Sequence, residues 1–438
     1  MKKFISKEKV MYTMKNPFIY ILLLSIIFQI FVYGFVNSIN TFGDTPSYTT
    51  NYTTNIFKLE INNFRTPVYP LICQMIKFIG GEKNWFMNIA LFQKIIFVLS
   101  SILFYMATQK IFKKNIYKYI AFFIYSFLPS LFLWSNCILT ENVSLFETVF
   151  LIYLTICYLK KPNNTIPIFI NILLLIMVMT RPAFLYLLMI YIMFWILQII
   201  CNKKNYKNYF SAFISMFIVI ILIITYCSQV WRQTGIFNLS TVGELNKSID
   251  FYKYQVYIYG PNNKIKEDII ESYDNNNGDA WVIYDDILSK HSKKEINNFI
   301  KDSNINAGTI IVQKKIMSFV DISEKVIGTN YTQTKQSNDV YKKTFDKLIN
   351  ILFPINFGTI YLLLLTGLIY LVFYYLKNKK LNWFLMFLLG LVGGNIFISV
   401  WMAPYETNRL CLISIPAIII LIFYLIDNKK GLNNEREI

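Results

Sequence analysis

Six ionisable residues at the borders of apolar runs are the first candidates for chemistry in this chain. They are Asp44, Arg65, Glu141, Arg181, Glu406 and Arg409. A carboxylate can take a proton from a hydroxyl group, and a guanidinium offers paired donors to phosphate oxygens. Each charge alone is also typical of a solvated or anchoring helix end. A common location on one side of a membrane would instead indicate a binding or catalytic site.

The sequence excludes several familiar kinds of site. His291 is the only histidine, so a monomer cannot form a histidine-centred catalytic triad or a metal site with several histidines. The chain contains neither a Walker A loop nor a GxGxxG sequence, which argues against a nucleotide as the source of energy. The energy or the transferred group must therefore come from another donor.

The elements that must position these charges are membrane helices. The 438 residues are 55% hydrophobic and only 16% charged, with a mean hydropathy of +0.43. Apolar runs long enough to cross a bilayer predict an all-α polytopic protein with about ten transmembrane helices. These runs lie near residues 17–36, 86–109, 116–134, 140–159, 165–180, 182–200, 209–227, 351–376, 382–402 and 409–426.

The distribution of lysines predicts the orientation. Alternate connections are lysine-rich, which is typical of cytoplasmic loops, so both termini are expected in the cytoplasm of a multi-pass protein, most simply of the bacterial cytoplasmic membrane. The six candidate charges then fall on the extracytoplasmic side. The net charge of +18 is spread along the chain, a pattern that does not indicate a nucleic-acid partner. The first apolar run lacks a small-residue cleavage site and is interpreted as an uncleaved signal anchor.

Two polar segments interrupt the spans and define the predicted organisation. Residues 1–227 form a seven-helix transmembrane module that includes the first outer loop and a surface helix (37–81). Residues 228–350 form a mostly helical extracytoplasmic loop domain, and residues 351–438 a three-helix transmembrane region. The surface helix runs from Val68 to Gly80, between Pro67 and Gly81. At about 20 Å it is too short to cross the bilayer, and its apolar face predicts an amphipathic juxtamembrane helix that contacts membrane lipids.

Five short motifs in order along the chain resemble a known family. GDTPSY surrounds Asp44 and FRTPVYPL surrounds Arg65, followed by LTEN, MTRP and YETNRL. Together they resemble the GT-C glycosyltransferases of the dolichyl-phosphate-mannose mannosyltransferase and aminoarabinose transferase-like type. In that family an acidic residue and a tyrosine in the first outer loop precede an Arg/Lys-x-Pro and Tyr-Pro pair. The matching positions here are Asp44, Tyr48, Arg65, Pro67, Tyr69 and Pro70.

The resemblance covers the first seven spans best and implies a GT-C-like fold. It implies transfer of a sugar from a polyprenyl-phosphate carrier to a lipid or cell-envelope glycan acceptor. Many members have two adjacent acidic residues in the first loop, whereas Asp44 lies between glycine and threonine. A divalent metal is therefore not supported by an Asp-x-Asp motif, and no cofactor is assigned.

The chemistry of the candidate arginines and of Asp44 also fits this reaction without reference to the family. Sugar transfer leaves an anionic phosphate, which Arg65, Arg181 and Arg409 can stabilise. The acceptor hydroxyl needs a base, and without a membrane-domain histidine the expected base is Asp44, which predicts an inverting reaction. The remaining candidates for binding the substrate or its phosphate are Tyr48, Tyr69, Lys94, Glu141 and Glu406.

Two of these candidates keep alternative interpretations. Glu141 either orients an arginine or the sugar, or serves as an N-cap partner after Thr140. Lys94 lies deep in the second span, where it either faces the phosphate or pairs with Glu147; snorkelling to the interface is the third option.

Two other functions fit many spans and a large outer loop. A transporter or flippase of lipid-linked sugars would place charges and broken helices near the bilayer midplane, and apart from Lys94 and Glu147 the predicted spans lack such charges there. An O-antigen-type polymerase or ligase would use arginines of the large outer loop, which has only Arg232.

The orientation can be tested with reporter fusions placed in the loop of Asp44 and directly after Gln229. Both reporters should be active on the extracytoplasmic side, and a fusion after Lys161 should be active in the cytoplasm. A cytoplasmic signal from either of the first two fusions would contradict the predicted topology.

Overall fold

The computed structural model describes residues 16–35, 39, 41–49, 63–128, 131, 133–201, 209–320, 357–402 and 407–428. These residues form α-helices and short 3-10 turns, and no β-strand occurs among them. The α-helices are α1 (Pro17–Phe35), α2 (Thr45–Thr49), α3 (Val68–Gly80), α4 (Trp85–Ile111), α5 (Asn115–Phe127), α6 (Glu141–Lys160), α7 (Ile166–Thr180), α8 (Leu185–Cys201), α9 (Phe210–Thr234), α10 (Val242–Lys253), α11 (Lys264–Asn275), α12 (Ala280–Lys290), α13 (Lys293–Ala307), α14 (Ile310–Val320), α15 (Phe357–Asn378), α16 (Trp383–Met402), α17 (Thr407–Cys411) and α18 (Ile415–Asn428).

Seven helical segments of the described chain are long and apolar enough to cross a membrane. They are Trp85–Ile111, Glu141–Lys160, Pro182–Cys201, Phe210–Thr234, Gly358–Asn378, Trp383–Trp401 and Arg409–Asn428. Three more apolar helices, Pro17–Ile30, Val68–Gly80 and Ile166–Thr180, are shorter. Large apolar side chains point outward from many of the long helices, as expected where lipid replaces water. The chain is therefore a multi-pass helical membrane protein.

One predicted span is wrong in its extent. The run near 116–134 was expected to be continuous, but α5 ends at Phe127. Leu128 has extended backbone angles (φ −68°, ψ 111°), because the following proline pushes the preceding residue out of helical geometry. A 3-10 turn, Leu133–Asn136, precedes α6. The predicted break at Arg181 is confirmed, because the backbone of Arg181 is extended (φ −146°, ψ 123°) directly before Pro182.

Helix α6 lies at the centre of the first of two compact units, Met1–Leu239 with Ser323–Phe397 and Asn408–Ile438. It packs against α4, α7 and α18. In this unit α6 and α18 are mostly buried, whereas the most apolar stretch of α15 is only 11% buried. The interior position of α6 matters because its first turn carries Glu141.

The surface helix occurs as α3 with the predicted bounds. Gly81 ends it with a positive φ (73°), which glycine adopts without strain. Tyr69, Pro70 and Cys73 are buried against the rest of the unit, while Phe78 is 91% exposed. The helix therefore anchors one face in protein and leaves an apolar face outward.

The second compact unit comprises Ser240–Ile322 and Ile398–Thr407. Its helices α10 to α13 enclose a core that includes Phe251, Tyr252, Ile283 and Phe299. Asn263, Asp279 and Ser292 cap α11, α12 and α13 through side-chain hydrogen bonds, and Ser292 forms a capping box with Glu295. This segment is thus a folded helical unit with its own core.

Two adjacent glycines in α16 offer a test of the helix packing. A Cβ atom at Gly394 would lie 2.5 Å from the ring of Tyr186, whose hydroxyl donates a hydrogen bond to the Leu391 carbonyl at 3.3 Å. A Cβ atom at Gly393 would meet nothing within 4 Å. Replacing a helical glycine by alanine gains about 1 kcal/mol, whereas overpacking costs about 1–3 kcal/mol.

Gly393→Ala should therefore keep or raise the melting temperature of the detergent-purified protein, and Gly394→Ala should lower it. Equal melting of the two variants would show that α8 and α16 do not pack at Gly394.

Candidate active site

The segment that carries Asp44 is held in place by Thr45, the first residue of α2. The buried Thr45 Oγ1 accepts a hydrogen bond from the Phe42 amide at 2.9 Å and donates to the Ile138 carbonyl at 3.1 Å. Ser47 Oγ donates to the Asp44 carbonyl at 2.6 Å. These bonds tie the loop to the chain just before α6, so the Asp44 carboxylate has a defined position.

Arg65 uses every part of its guanidinium on this segment. Its Nη2 contacts Asp44 Oδ1 at 2.6 Å, its Nε donates to Ser47 Oγ at 2.8 Å, and its Nη1 donates to the Tyr48 hydroxyl at 3.2 Å. The guanidinium also lies over the Tyr48 ring, 4.5 Å from its centre. Tyr69 in turn meets the Tyr48 ring edge-on at 5.2 Å. The predicted Asp, Tyr, Arg and Tyr positions therefore form one contact group.

A second carboxylate, Glu141, contacts two further arginines. Its Oε1 lies 2.8 Å from Arg409 Nε and 3.4 Å from Arg181 Nη1. The Glu141 side chain is 1% exposed, and both arginines are buried. Thr140 makes no side-chain capping bond to α6. Of the two interpretations of Glu141, the structure thus favours the orientation of arginines.

Arg409 joins the two groups. Its Nη2 lies 3.5 Å from Asp44 Oδ2, while its Nε faces Glu141. The result is a continuous chain of ion pairs in the order Arg65, Asp44, Arg409, Glu141, Arg181. Three arginines and two carboxylates give these five described residues a formal charge of +1.

Burial and the neighbouring arginines have opposite effects on the pKa of the Asp44 carboxyl group. Burial raises the pKa of Asp44, but the charges and hydrogen bonds of Arg65 and Arg409 outweigh burial and hold this pKa below its ordinary value of 3.8. Asp44 is thus ionised near neutral pH. Its contribution to stability is fully present above the unfolded pKa of 3.8 and is lost as the pH falls through the lower folded value.

Buried polar residues that the sequence analysis did not select form hydrogen bonds to residues of the site and to the segments beside it. Gln93 is fully buried in α4, and its side-chain amide nitrogen donates to the Tyr69 hydroxyl at 2.7 Å and to the Leu139 carbonyl at 3.1 Å. Its backbone carbonyl accepts a hydrogen bond from the Asn142 side chain at 3.1 Å. Thr66 donates to the Thr180 carbonyl at 3.1 Å. An amide inside an apolar run was the available signal for Gln93, because such a group needs a partner in a membrane.

Three charged residues named in the sequence analysis remain to be considered: Glu147, Lys94 and Glu406. Glu147 accepts a hydrogen bond from Thr180 Oγ1 at 2.6 Å, and no ion pair joins it to Lys94 in the described structure. Lys94 follows Gln93 in α4 and points about 100° away around the helix axis. Glu406 lies outside the described residues. Within the described ranges no group of three or more His, Cys, Asp or Glu side chains could hold a metal ion.

Solved structures of an archaeal oligosaccharyltransferase show a weak similarity to this chain. The Archaeoglobus fulgidus oligosaccharyltransferase with Zn and sulfate aligns at a TM-score of 0.43 and 13% identity over 85% of this chain and 42% of its own. Oligosaccharyltransferase AglB from the same organism, in complex with an inhibitory peptide and a dolichol-phosphate, aligns at a TM-score of 0.44 and 13% identity. This alignment covers 97% of this chain and 53% of the AglB chain. The chain thus spans about half the length of these structures. No protein-family model and no curated protein matches it.

The buried position of Glu141 predicts a large effect on stability. Glu141→Gln removes the charge that two buried arginines share, and breaking a buried ion pair costs about 3–5 kcal/mol. Glu82→Gln is the matched control, because Glu82 pairs with Lys77 at the surface with its side chain 83% exposed. Thermal unfolding in detergent should show a clearly lower melting temperature for Glu141→Gln and little change for Glu82→Gln. Equal melting would show that the Glu141 pairs do not stabilise the fold.

Proposed function

We propose that this chain is a membrane glycosyltransferase that moves a sugar from a polyprenyl-phosphate carrier to a lipid or cell-envelope glycan acceptor. The observation that carries the proposal is the chain of ion pairs: three arginines surround one buried and one partly exposed carboxylate. The motif resemblance around Asp44, Arg65 and Tyr69 supports the same assignment. The orientation of the lysine-rich loops supports a site on the extracytoplasmic face.

The arginines fit the charge change in such a reaction. The donor is a phosphodiester with one negative charge, and loss of the sugar leaves a phosphomonoester with more negative charge on its oxygens. Fixed cations stabilise this developing charge more than the ground state, which is the requirement for catalysis. Arg65 and Arg409 flank Asp44 and are the nearest candidates for the phosphate, while Arg181 lies behind Glu141.

Asp44 fits the second requirement, a base for the acceptor. The acceptor oxygen attacks the anomeric carbon, its proton passes to the Asp44 carboxylate, and the bond from the anomeric carbon to the phosphate oxygen breaks with its electron pair remaining on that oxygen. Attack opposite the leaving phosphate inverts the anomeric configuration. The Asp44 side chain is 31% exposed, so a hydroxyl group can approach it, whereas Glu141 is closed off.

The location of the five ion-paired residues in the helices favours an enzyme over a transporter. Glu141 lies in the first turn of α6, Arg181 directly follows α7, and Arg409 lies in the short helix α17 that precedes α18. A transporter site is expected near the middle of its spans.

The proposal predicts the activity of two variants. Purified protein in detergent, incubated with polyprenyl-phosphate sugars and a pool of envelope acceptors, should transfer sugar. Asp44→Asn should lower turnover by at least about 100-fold, because general-base catalysis contributes about that much or more. Arg65→Ala should lower it similarly by removing a phosphate contact.

Matched controls are Asp286→Asn, at a carboxylate that is 31% exposed like Asp44, and Arg232→Ala, at an exposed arginine; both lie outside the ion-pair chain and should keep wild-type turnover. Absence of turnover by the wild type with every donor would refute the proposed function. Full activity of both Asp44→Asn and Arg65→Ala would refute the site.

A further inference from the structure

The Asp44 carboxylate occupies the position that a phosphate group would take between two arginines. Its Oδ1 faces Arg65 Nη2 at 2.6 Å and its Oδ2 faces Arg409 Nη2 at 3.5 Å. A phosphate that bridges the same two guanidinium groups would use two of its oxygens in the same way. Asp44 and an incoming phosphate therefore require the same N–H donors.

The two carboxylates of the site differ in their freedom to leave the arginines. Glu141 is 1% exposed and contacts both Arg181 and Arg409 through one oxygen, so its departure would leave buried charges without a partner. The Asp44 side chain is 31% exposed, and its contact with Arg409 is long. Only Asp44 can exchange its ionic contacts for an outside anion at moderate cost.

Arg65 would keep its position during such an exchange. Its Nε donates to Ser47 Oγ, its Nη1 donates to the Tyr48 hydroxyl, and its guanidinium carbon lies over the Tyr48 ring. Its Nη2 forms the ion pair with Asp44. Loss of that ion pair leaves the Nε and Nη1 bonds in place, so the guanidinium stays oriented for a phosphate.

We propose that Asp44 is an exchangeable internal counter-ion: the lipid-linked phosphate displaces it from Arg65 and Arg409, and this displacement frees the carboxylate to act as the base. The inference rests on the proposed function for the role of the freed carboxylate, but the exchange itself concerns phosphate binding alone. Without a bound phosphate, Asp44 stays paired with Arg65 and Arg409 and does not act as a base.

The charges that face Asp44 support this sequence of events. Arg65 and Arg409 contact it directly, Tyr48 lies beyond Arg65, and Glu141 with Arg181 lies beyond Arg409. The two direct contacts hold the pKa of Asp44 down against the effect of burial. Once a phosphate takes those contacts, burial and the added negative charge both raise the pKa, so the freed carboxylate becomes a stronger base.

Calorimetric titration of the detergent-purified protein with farnesyl phosphate tests the exchange. Asp44→Asn removes the competing charge and should bind farnesyl phosphate about fivefold more tightly than wild type, the factor expected for one partly exposed ion pair. Asp44→Glu keeps the competing charge and should stay near wild-type affinity, as should the control Asp286→Asn. Titrations in buffers of different ionisation enthalpy should show more proton uptake by wild type than by Asp44→Asn.

The opposite outcomes overturn the proposal. Equal affinity of wild type and Asp44→Asn for farnesyl phosphate would show that the Asp44 carboxylate and the phosphate do not compete. Weaker binding by Asp44→Asn would show that Asp44 helps to bind the phosphate, either directly or through a cation. Absence of farnesyl phosphate binding by every variant would show that the arginines do not form a phosphate site. If the fivefold difference appears but no donor sugar is ever transferred, the exchange stands and the proposed function fails.

Discussion

The sharing of Arg409 between two carboxylates is the interaction on which the rest of this site depends. Arg409 contacts Asp44 with one nitrogen and Glu141 with another, and it thereby joins a late part of the sequence to two residues of its first third. Charges removed from water need partners of opposite sign. The start of α6, the end of α7 and the start of the last apolar segment must therefore meet at one place.

The difference in exposure between the two carboxylates gives each a separate task. Glu141 is enclosed and holds Arg181 and Arg409 in fixed orientations before any ligand arrives, which is what electrostatic preorganisation requires. Asp44 lies at the accessible border of the same chain of charges. The proposed chemistry and the proposed exchange both follow from this arrangement, since one carboxylate maintains the arginines while the other is available to react.

Hydrogen bonds between apolar helices support the charged layer. Gln93 links α4 to the Tyr69 hydroxyl of α3 and to the Leu139 carbonyl before α6. Thr180 links the end of α7 to Glu147 in α6, and its carbonyl accepts a bond from Thr66. Each polar group within an apolar surrounding requires a partner. These bonds fix the distance between α3, which follows Arg65, and the helices that carry the other charges.

The sequence by itself determined the local features, because run length, helical spacing and proline act within a few residues. The bounds of α3, the break at Arg181 and the apolar character of the long helices follow from it. It also selected Asp44, Arg65, Glu141 and Arg409 as candidates. Only the tertiary structure decided their partners: Glu141 contacts two arginines without a Thr140 side-chain cap, and Glu147 accepts a hydrogen bond from Thr180. Such pairings depend on which helices pack together, and that arises from contacts between residues far apart in the chain.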